Sequence, residues 1–391
     1  MMSVFPSSRR GFVAGSAGLL GAAISAGARP AHAAPAIEPF HGLHQAGIAT
    51  PPQGFTSFAV FDVTAGTRGA LQALLQRWTA AAAQMASGEA PDAADRDDAP
   101  GLPPARLTLT FGFGAGLFEK DGRDRFGLRA RRPASLIDLP PFAGDALEPA
   151  RTGGDISVQA CAEDPQTAFH AVRRLARIAA GDARIRWAQA GFLSPRGAGT
   201  PRNLLGFKDG TQNVNVADPF ALDTFVWSGL EGPAAMRGGT YLVARRIRLA
   251  VERWDAVVVS EQERIIGRRK MSGAPAGGER EFEAERFDRR DADGRLAIAA
   301  DAHVRLASYD GSGARILRRG YSYEDGGVGG YEAGLLFMAY QKDPRSGFVK
   351  MFGRMAGSDR LMPFTTHVGS GVFAVPPGVA AGGWVGEALI G

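Results

Sequence analysis

Histidine, aspartate and arginine are the residues of this chain whose side chains can bind a metal or move a proton. Apart from His32, the histidines are His41, His44, His170, His303 and His367. Histidine is the commonest metal ligand in proteins, yet an isolated histidine is usually an ordinary polar residue. The spacing of His41 and His44 would place both on one helix face, and His170 lies beside arginines at the spacing of a solvated face. Spacing alone therefore selects no metal ligand.

Charged residues also precede glycines in two segments. Residues 206–211 read GFKDGT, with Asp209 before a glycine, and Arg318 and Arg319 precede Gly320. Asp-Gly is a common turn dipeptide, and it recurs in this chain at Asp121, Asp293, Asp310 and Asp325. An arginine pair before a glycine is, by itself, typical of the end of a surface strand. Neither segment, taken alone, predicts a catalytic site.

Length and composition define the class of protein. The chain has 391 residues, of which 45% are hydrophobic and 22% charged, which is a globular composition with room for two domains. The formal charge is +5, but Arg9, Arg10 and Arg29 contribute to it from a terminal segment without acidic residues. A nucleic-acid-binding protein, which would have a clustered basic patch, is therefore not favoured. The single cysteine, Cys161, excludes an intramolecular disulfide, a cysteine-based zinc site and an iron–sulfur cluster held by this chain alone.

Residues 1–33 have the features of an export signal. Arg9 and Arg10 precede Gly-Phe-Val, a mildly apolar run rich in glycine and alanine follows, and residues 31–33 form an A-x-A cleavage pattern. The combination predicts a twin-arginine signal cleaved before Ala34, and hence a periplasmic or secreted protein that engages the twin-arginine translocase. An ordinary secretory signal is the alternative. A membrane anchor is disfavoured because the run is short and interrupted by glycines. Twin-arginine export carries folded proteins, which favours a cofactor loaded before export.

The elements that would position a site form two similar runs. In the first run, the patterns predict strands at 56–63, 107–113, 156–160 and 185–192 and helices at 67–85 and 165–180. The second run starts with a strand at 240–247, leads into a helix near Trp254, and contains a strand at 334–341 that is predicted to correspond to 107–113. This weak repeat predicts an α+β protein of two halves, each an antiparallel sheet covered by helices.

Beyond residue 40, the chain resembles the dye-decolourising haem peroxidases, and most closely their exported, iron-uptake-linked deferrochelatase/peroxidase branch. The order of the matching segments makes the resemblance specific, whereas G-x-x-D-G alone would not. The segments are HQAGIATP (44–51), LTLTFGFGAGLF (107–118), GGDISVQACAEDPQTAFHAVR (153–173), GFKDGTQN (206–213), DAHVRLAS (301–308), ILRRGYSY (316–323), GLLFMAYQKD (334–343) and GSGVFAVPPG (369–378).

The resemblance implies one b-type haem per chain. His303 would be the proximal iron ligand, Asp209 the distal carboxylate and Arg318 the distal cation. The segments that follow these motifs would border the haem; they comprise Gly210, Thr211, Gln212, Ser308, Tyr309 and Asp310. Two positions depart from the pattern: Ser-Tyr-Asp replaces the Asn-Pro-Arg usual in this branch, and Gly320 occupies the position where some relatives have a distal asparagine.

The resemblance also implies a fold and an activity. The fold would be two ferredoxin-like halves of the dimeric α+β barrel type, with the haem in the C-terminal half. The predicted divisions are a signal at 1–33, an arm at 34–54, an N-terminal half at 55–233 and a C-terminal half at 234–391. The implied activity is reduction of hydrogen peroxide coupled to one-electron oxidation of phenolic or dye-like donors by a homodimer.

Two alternative functions stay open. The protein could release iron from haem as a deferrochelatase that works with iron-uptake components, or it could bind haem without catalysis. Asp209 and Arg318 disfavour mere binding, because storage needs neither. Tyr309, Tyr321, Tyr323 and Trp254 lie near the motifs in sequence and could relay electrons to bulky donors, although ordinary core aromatics are the commoner explanation of such residues.

Replacement of Arg9 and Arg10 by lysines tests the export hypothesis. The charge is unchanged, but recognition of an arginine pair should fail. We expect an uncleaved, haem-loaded precursor inside the cell, measured by fractionation and absorbance. Normal export of the lysine variant would instead indicate an ordinary secretory route.

Overall fold

The computed structural model describes residues 36–89, 101–194, 199–308, 310–311, 314–327 and 329–391. The predicted signal at 1–33 and the predicted haem contact Tyr309 lie outside these residues. The N-terminal half contains β1 (Phe55–Val63), α1 (Arg68–Ser87), β2 (Thr108–Gly114), α2 (Ala115–Phe118), β3 (Ile156–Ala162), α3 (Pro165–Ile178) and β4 (Ala183–Phe192). Helix α4 (Pro219–Phe225) follows, and the C-terminal half contains β5 (Thr240–Leu249), α5 (Val251–Asp255), α6 (Val259–Ile266), α7 (His303–Ala307), β6 (Leu317–Arg318), β7 (Tyr321–Glu324), β8 (Ala333–Gln341), α8 (Lys350–Met355), β9 (Thr365–Val375) and α9 (Glu387–Ile390).

The strands of each half pair in the same antiparallel order. In the N-terminal half the order is β4-β1-β3-β2, and in the C-terminal half it is β9-β5-β8-β7, with β6 preceding β7 along the same edge of β8. The halves join where β2 pairs with β9 and where β4 pairs with β7. The strands therefore close into one ring. The predicted fold, two ferredoxin-like α+β halves, is confirmed.

One predicted correspondence within the repeat is wrong. Residues 334–341 belong to β8, which is the third strand of its half and so matches β3 rather than 107–113. The strand that matches β2 is the pair β6 and β7. The backbone between them, at Arg319 and Gly320, leaves the strand conformation, so neither piece is long enough to show a strand pattern in the sequence.

The long helices begin and end at sequence signals and pack on the outer face of the N-terminal sheet. Thr67 caps α1 by accepting a hydrogen bond from the Ala70 N–H, and Gly88 ends it with φ 73°, a left-handed conformation that favours glycine. The Trp78 indole N–H donates to the Leu175 carbonyl over 2.8 Å and so joins α1 to α3. These helices cover one apolar core, and the ring encloses a second.

One long connection in the C-terminal half bears on where a site can form. A long irregular excursion, residues 267–302, separates α6 from α7, and α7 begins at His303.

Among the helices in the described ranges, none combines the length and the apolar character that crossing a membrane requires.

Candidate active site

A cavity of about 530 Å³ lies between the GFKDGT loop and β8, α7 and α8 of the C-terminal half. Its walls are mainly apolar. They include Ile247 and Leu249 from β5 and Leu335 and Phe337 from β8. The polar side chains that line it include His303, Asp209 and Arg318, so the structure brings together the three residues that the family pattern singles out.

His303, the first residue of α7, is held by a buried carboxylate. Its Nδ1 lies 2.7 Å from Asp359 Oδ2, and the Asp359 side chain is 1% exposed. The second carboxylate oxygen of Asp359 accepts the Leu361 N–H over 2.8 Å. With Nδ1 donating to Asp359, Nε2 is the ring atom that can bind a metal.

The charges around His303 favour a basic imidazole. Burial is the largest influence and acts to lower its pKa, but the Asp359 carboxylate outweighs burial, so the pKa of His303 is raised. The charges of Arg318 and Asp209 also act on the ring, in opposite directions. A carboxylate partner of this kind orients a histidine ligand and strengthens its bond to the metal.

Asp209 and Arg318 form the second charged group of the cavity. Arg318 Nη1 donates to Asp209 Oδ1 over 2.7 Å, and the two side chains are 31% and 30% exposed. The pair is part-buried and both side chains line the cavity, so the two charges face whatever the cavity binds. Asn213 fixes the backbone of Arg318 with two hydrogen bonds, from the Arg318 N–H to Oδ1 over 2.8 Å and from Nδ2 to the Arg318 carbonyl over 2.7 Å.

The loop that carries Asp209 is anchored by Glu281, a residue of the 267–302 excursion. Glu281 Oε1 accepts the hydroxyls of Thr200 and, over 2.9 Å, of Thr211, and Oε2 pairs with Lys208. Burial is the largest influence on the pKa of Glu281 and acts to raise it, but these partners outweigh burial and the pKa is lowered. Residues on both sides of Asp209 therefore depend on one buried carboxylate.

The other predicted contacts line the same cavity, with two exceptions. Gly210 has φ 125°, which favours glycine, and Gln212 donates to Glu285 over 3.1 Å. Ser308 lines the cavity and donates to the Val304 carbonyl. Asp310 forms an ion pair with Arg354 of α8 and is not one of the lining residues. Tyr309 lies outside the described residues.

Of the remaining histidines, only His367 reaches the cavity among the described residues. Arg245 Nε donates to its Nδ1 over 3.2 Å, and burial together with that guanidinium lowers its pKa to about 3. A cation beside an imidazole withdraws electron density, whereas a carboxylate adds it, so His303 is the better metal ligand of the two. His44 is not a candidate metal ligand of the cavity, because its ring stacks on Trp227 with ring centroids 3.8 Å apart.

The cavity fits a flat apolar cofactor that brings most of its own metal ligands. Among the described residues no group of three or more histidine, cysteine or acidic side chains could hold a bare ion. One imidazole with a carboxylate partner, set in apolar walls, instead suits an iron porphyrin.

Comparison with known families agrees with this site. The family models for the N-terminal and C-terminal domains of Dyp-type peroxidases match residues 45–193 and 200–380. The chain belongs to the DyP-type peroxidase family. Its fold, its haem cofactor and its class, a haem peroxidase, follow from that membership.

Individual relatives cover nearly the whole chain. A dye-decolorizing peroxidase of Thermobifida fusca is 37% identical over 98% of this chain and 97% of its own length, and a deferrochelatase of Escherichia coli is 35% identical over 90% and 87%. The solved structure of ferric DtpA from Streptomyces lividans has 38% identity and a TM-score of 0.86, and covers 91% of this chain and 98% of its own. A DyP-type peroxidase from Cellulomonas bogoriensis has the same TM-score, 0.86, at 38% identity over 91% and 99%.

Sequence reasoning did not find Asp359, Asn213 or Glu281. Asp359 lies 56 residues after its partner His303, and Asn213 lies 105 residues before Arg318. No short-range spacing could connect residues this far apart. The nearest local signal for Glu281 was Lys208 beside Asp209, a cation that can pair with an acidic residue but does not identify it.

We expect His303→Ala to lose stably bound haem, because it removes the imidazole that a carboxylate supports. His367→Ala should keep haem, since its ring is occupied by Arg245. The Soret absorbance and a pyridine haemochrome assay on purified protein measure both. Loss of haem in His367→Ala alone would contradict the assignment.

Asp359→Asn tests the partner of His303 separately. Loss of the carboxylate should weaken haem affinity about 10–100-fold, the usual effect of removing such a partner, and should raise the haem reduction potential. Haem transfer to apomyoglobin and a potentiometric titration measure these effects. An unchanged potential would show that Asp359 only fills space.

Glu281→Gln tests the anchor of the Asp209 loop. Misplacement of Asp209 should slow peroxide consumption by up to about 10²-fold with haem still bound. Because the pKa of Glu281 is lowered, its contribution is complete above the ordinary value of 4.5 and is lost as pH falls through the lowered value. The difference between wild type and variant should therefore persist at pH 5 and shrink only below about 4.5. Glu283→Gln, a change of the same type in the same excursion, is the matched control and should have no effect.

Proposed function

We propose that the protein reduces hydrogen peroxide and oxidises phenolic or dye-like donors by one-electron steps. The observation that supports this most is the Asp209–Arg318 pair in the cavity that His303 also lines. A binding protein needs no such pair, and both side chains line the cavity, where a small oxidant could contact them. When bound, the haem would supply the iron redox chemistry, with His303 as the residue that holds it.

The proton chemistry is assigned to Asp209. Its Oδ1 is occupied by Arg318, whereas Oδ2 has only a long contact, 3.4 Å, to Asn203 Nδ2 among the described residues. Oδ2 is therefore the atom that would take a proton from one oxygen of the peroxide and return it to the other oxygen, which leaves as water. General acid–base catalysis of this kind contributes about 10²–10⁴-fold to a rate.

Arg318 is assigned a charge-stabilising role. Nη1 is used by Asp209, and the remaining guanidinium N–H groups can donate to the peroxide oxygen on which negative charge develops. The hydrogen bonds from Asn213 fix the backbone of Arg318 before reaction, so little reorganisation is needed. The two side chains thus divide the work into proton transfer and charge stabilisation.

The cellular setting is part of the proposal. The twin-arginine-like sequence at 9–10 supports export of a folded, haem-loaded protein to the periplasm or beyond. Release of iron from haem, with delivery to an uptake system, is the second candidate function, and the similarity to the Escherichia coli deferrochelatase favours it. A peroxidase assay and a measurement of iron-free porphyrin on the same sample distinguish the two.

Arg318→Leu and Asp209→Asn test the mechanism. Both should keep haem and lower peroxide consumption, Arg318→Leu by about 10²–10³-fold. The loss for Asp209→Asn should be smaller, because water can shuttle a proton but cannot replace a fixed charge. Stopped-flow absorbance at matched haem occupancy measures the rates. Arg345→Leu, which breaks the ion pair with Asp343, is the matched control. Wild-type rates in both site variants would overturn the mechanism.

A further inference from the structure

The only cysteine of the chain lies inside the ring of strands, in contact with a tyrosine. The Tyr321 O–H donates to Cys161 Sγ over 3.5 Å, and the thiol donates to the Thr56 hydroxyl over 3.3 Å. Tyr321 and Cys161 are both 0% exposed. A thiol and a phenol in contact are two of the most easily oxidised side chains of a protein, placed together where no soluble reductant or donor reaches them.

The pair lies directly behind the wall of the active-site cavity. Side chains alternate between the two faces of a strand, and in β8 Leu335 and Phe337 line the cavity whereas Leu336 packs inside the ring. Tyr321 is the cross-strand partner of Leu336, so its side chain also faces the interior of the ring, beside that of Leu336. Along the chain, Tyr321 follows Arg318 by three residues. One layer of sheet therefore separates the pair from the cavity.

The surroundings are built to accept this pair. A Cβ added to Gly191 of β4 would lie 2.8 Å from the Tyr321 Cβ and 3.1 Å from Thr56 Cγ2, so only glycine lets these groups approach. The Arg319 guanidinium is buried beside them, and its Nε has no hydrogen-bond partner among the described residues. Burial acts to lower the pKa of Arg319, but Tyr321 and Cys161 are among the groups that raise it.

We propose that Cys161 and Tyr321 together act as an internal electron donor. When the protein turns over peroxide without an external donor, the two side chains become joined by a thioether bond. The inference rests on the proposed peroxidase function. Oxidation of a phenol places unpaired electron density on its oxygen and on the ring carbons beside it, and the sulfur bonds to one of those carbons.

The reaction balances with peroxide as the oxidant. The thiol loses its hydrogen, the ring loses the hydrogen of one carbon beside the phenol oxygen, and a carbon–sulfur bond forms. The two electrons and two protons released reduce one hydrogen peroxide to two waters. One molecule of peroxide is thereby removed at the expense of a buried pair instead of the haem or its ligand His303.

Intact mass and thiol titration test this directly. Haem-loaded wild-type protein treated with one equivalent of peroxide and no donor should lose the mass of two hydrogen atoms and its single titratable thiol in denaturant. Peptide mapping should join the segments that contain Cys161 and Tyr321. Excess guaiacol, a phenolic donor, should suppress the change because it supplies the electrons first.

Variants make the assignment specific. Tyr321→Phe and Cys161→Ser should abolish the mass loss. Tyr340→Phe should keep it, because Tyr340 is equally buried but donates to the Gln159 amide over 2.8 Å rather than to a thiol. Absorbance at matched haem loading confirms that each variant is folded.

The outcomes separate the inference from the function on which it rests. If guaiacol is oxidised but the mass of donor-free protein stays unchanged, or rises by one or more oxygen atoms through direct oxidation of the thiol, the internal donor is wrong and the peroxidase stands. Mass loss that persists in Tyr321→Phe also overturns the pairing. If guaiacol is not oxidised, the peroxidase function fails and the inference fails with it.

Discussion

The alternation of side chains along β8 is the constraint on which the rest of this structure depends. β8 pairs with β5 on one edge and with β6 and β7 on the other, so its register fixes the C-terminal half. A shift by one residue would exchange the faces of every side chain. Leu335 and Phe337 would leave the cavity, and Tyr340 would leave the interior of the ring. The same pairing places Arg318 opposite Ala339, and so sets the distance from Arg318 to Asp209.

The sequence was sufficient for the regular parts of the fold and insufficient for the irregular ones. Helix α1 was predictable because a capping threonine, an apolar face and a terminal glycine are all local signals. The strand formed by β6 and β7 was not, because the break at Arg319 and Gly320 makes it too short to show a period. The roles of His303 and Arg318 came from resemblance to a family. Spacing alone left five histidines and several Asp-Gly turns equivalent.

One physical reason explains why three residues of the site were not predicted from the sequence. Asp359, Asn213 and Glu281 act on residues distant in sequence, and each does so through hydrogen bonds that only the folded chain creates. Burial increases the energetic cost of losing such a hydrogen bond. Asp359 is 1% exposed, so loss of its partner would leave an uncompensated charge, which is expensive in a protein interior. The Asp209–Arg318 pair is a different case, because both side chains are part-buried and line the cavity, so their charges are available to a bound substrate.

The two histidines of the cavity show how the same residue type acquires opposite properties. His303 faces a carboxylate, which makes the imidazole a stronger base, and His367 faces the guanidinium of Arg245, which makes it a weaker one. Arg245 is itself paired with Asp145 over 2.6 Å and lies among Phe142, Phe348 and Phe352, so its charge is held in place by packing as well as by its counterion. An uncharged His367 lets one wall of the cavity stay apolar, as a porphyrin requires, while the basic imidazole is confined to the single position where iron would be held. The preference for His303 thus follows from the partner of each ring.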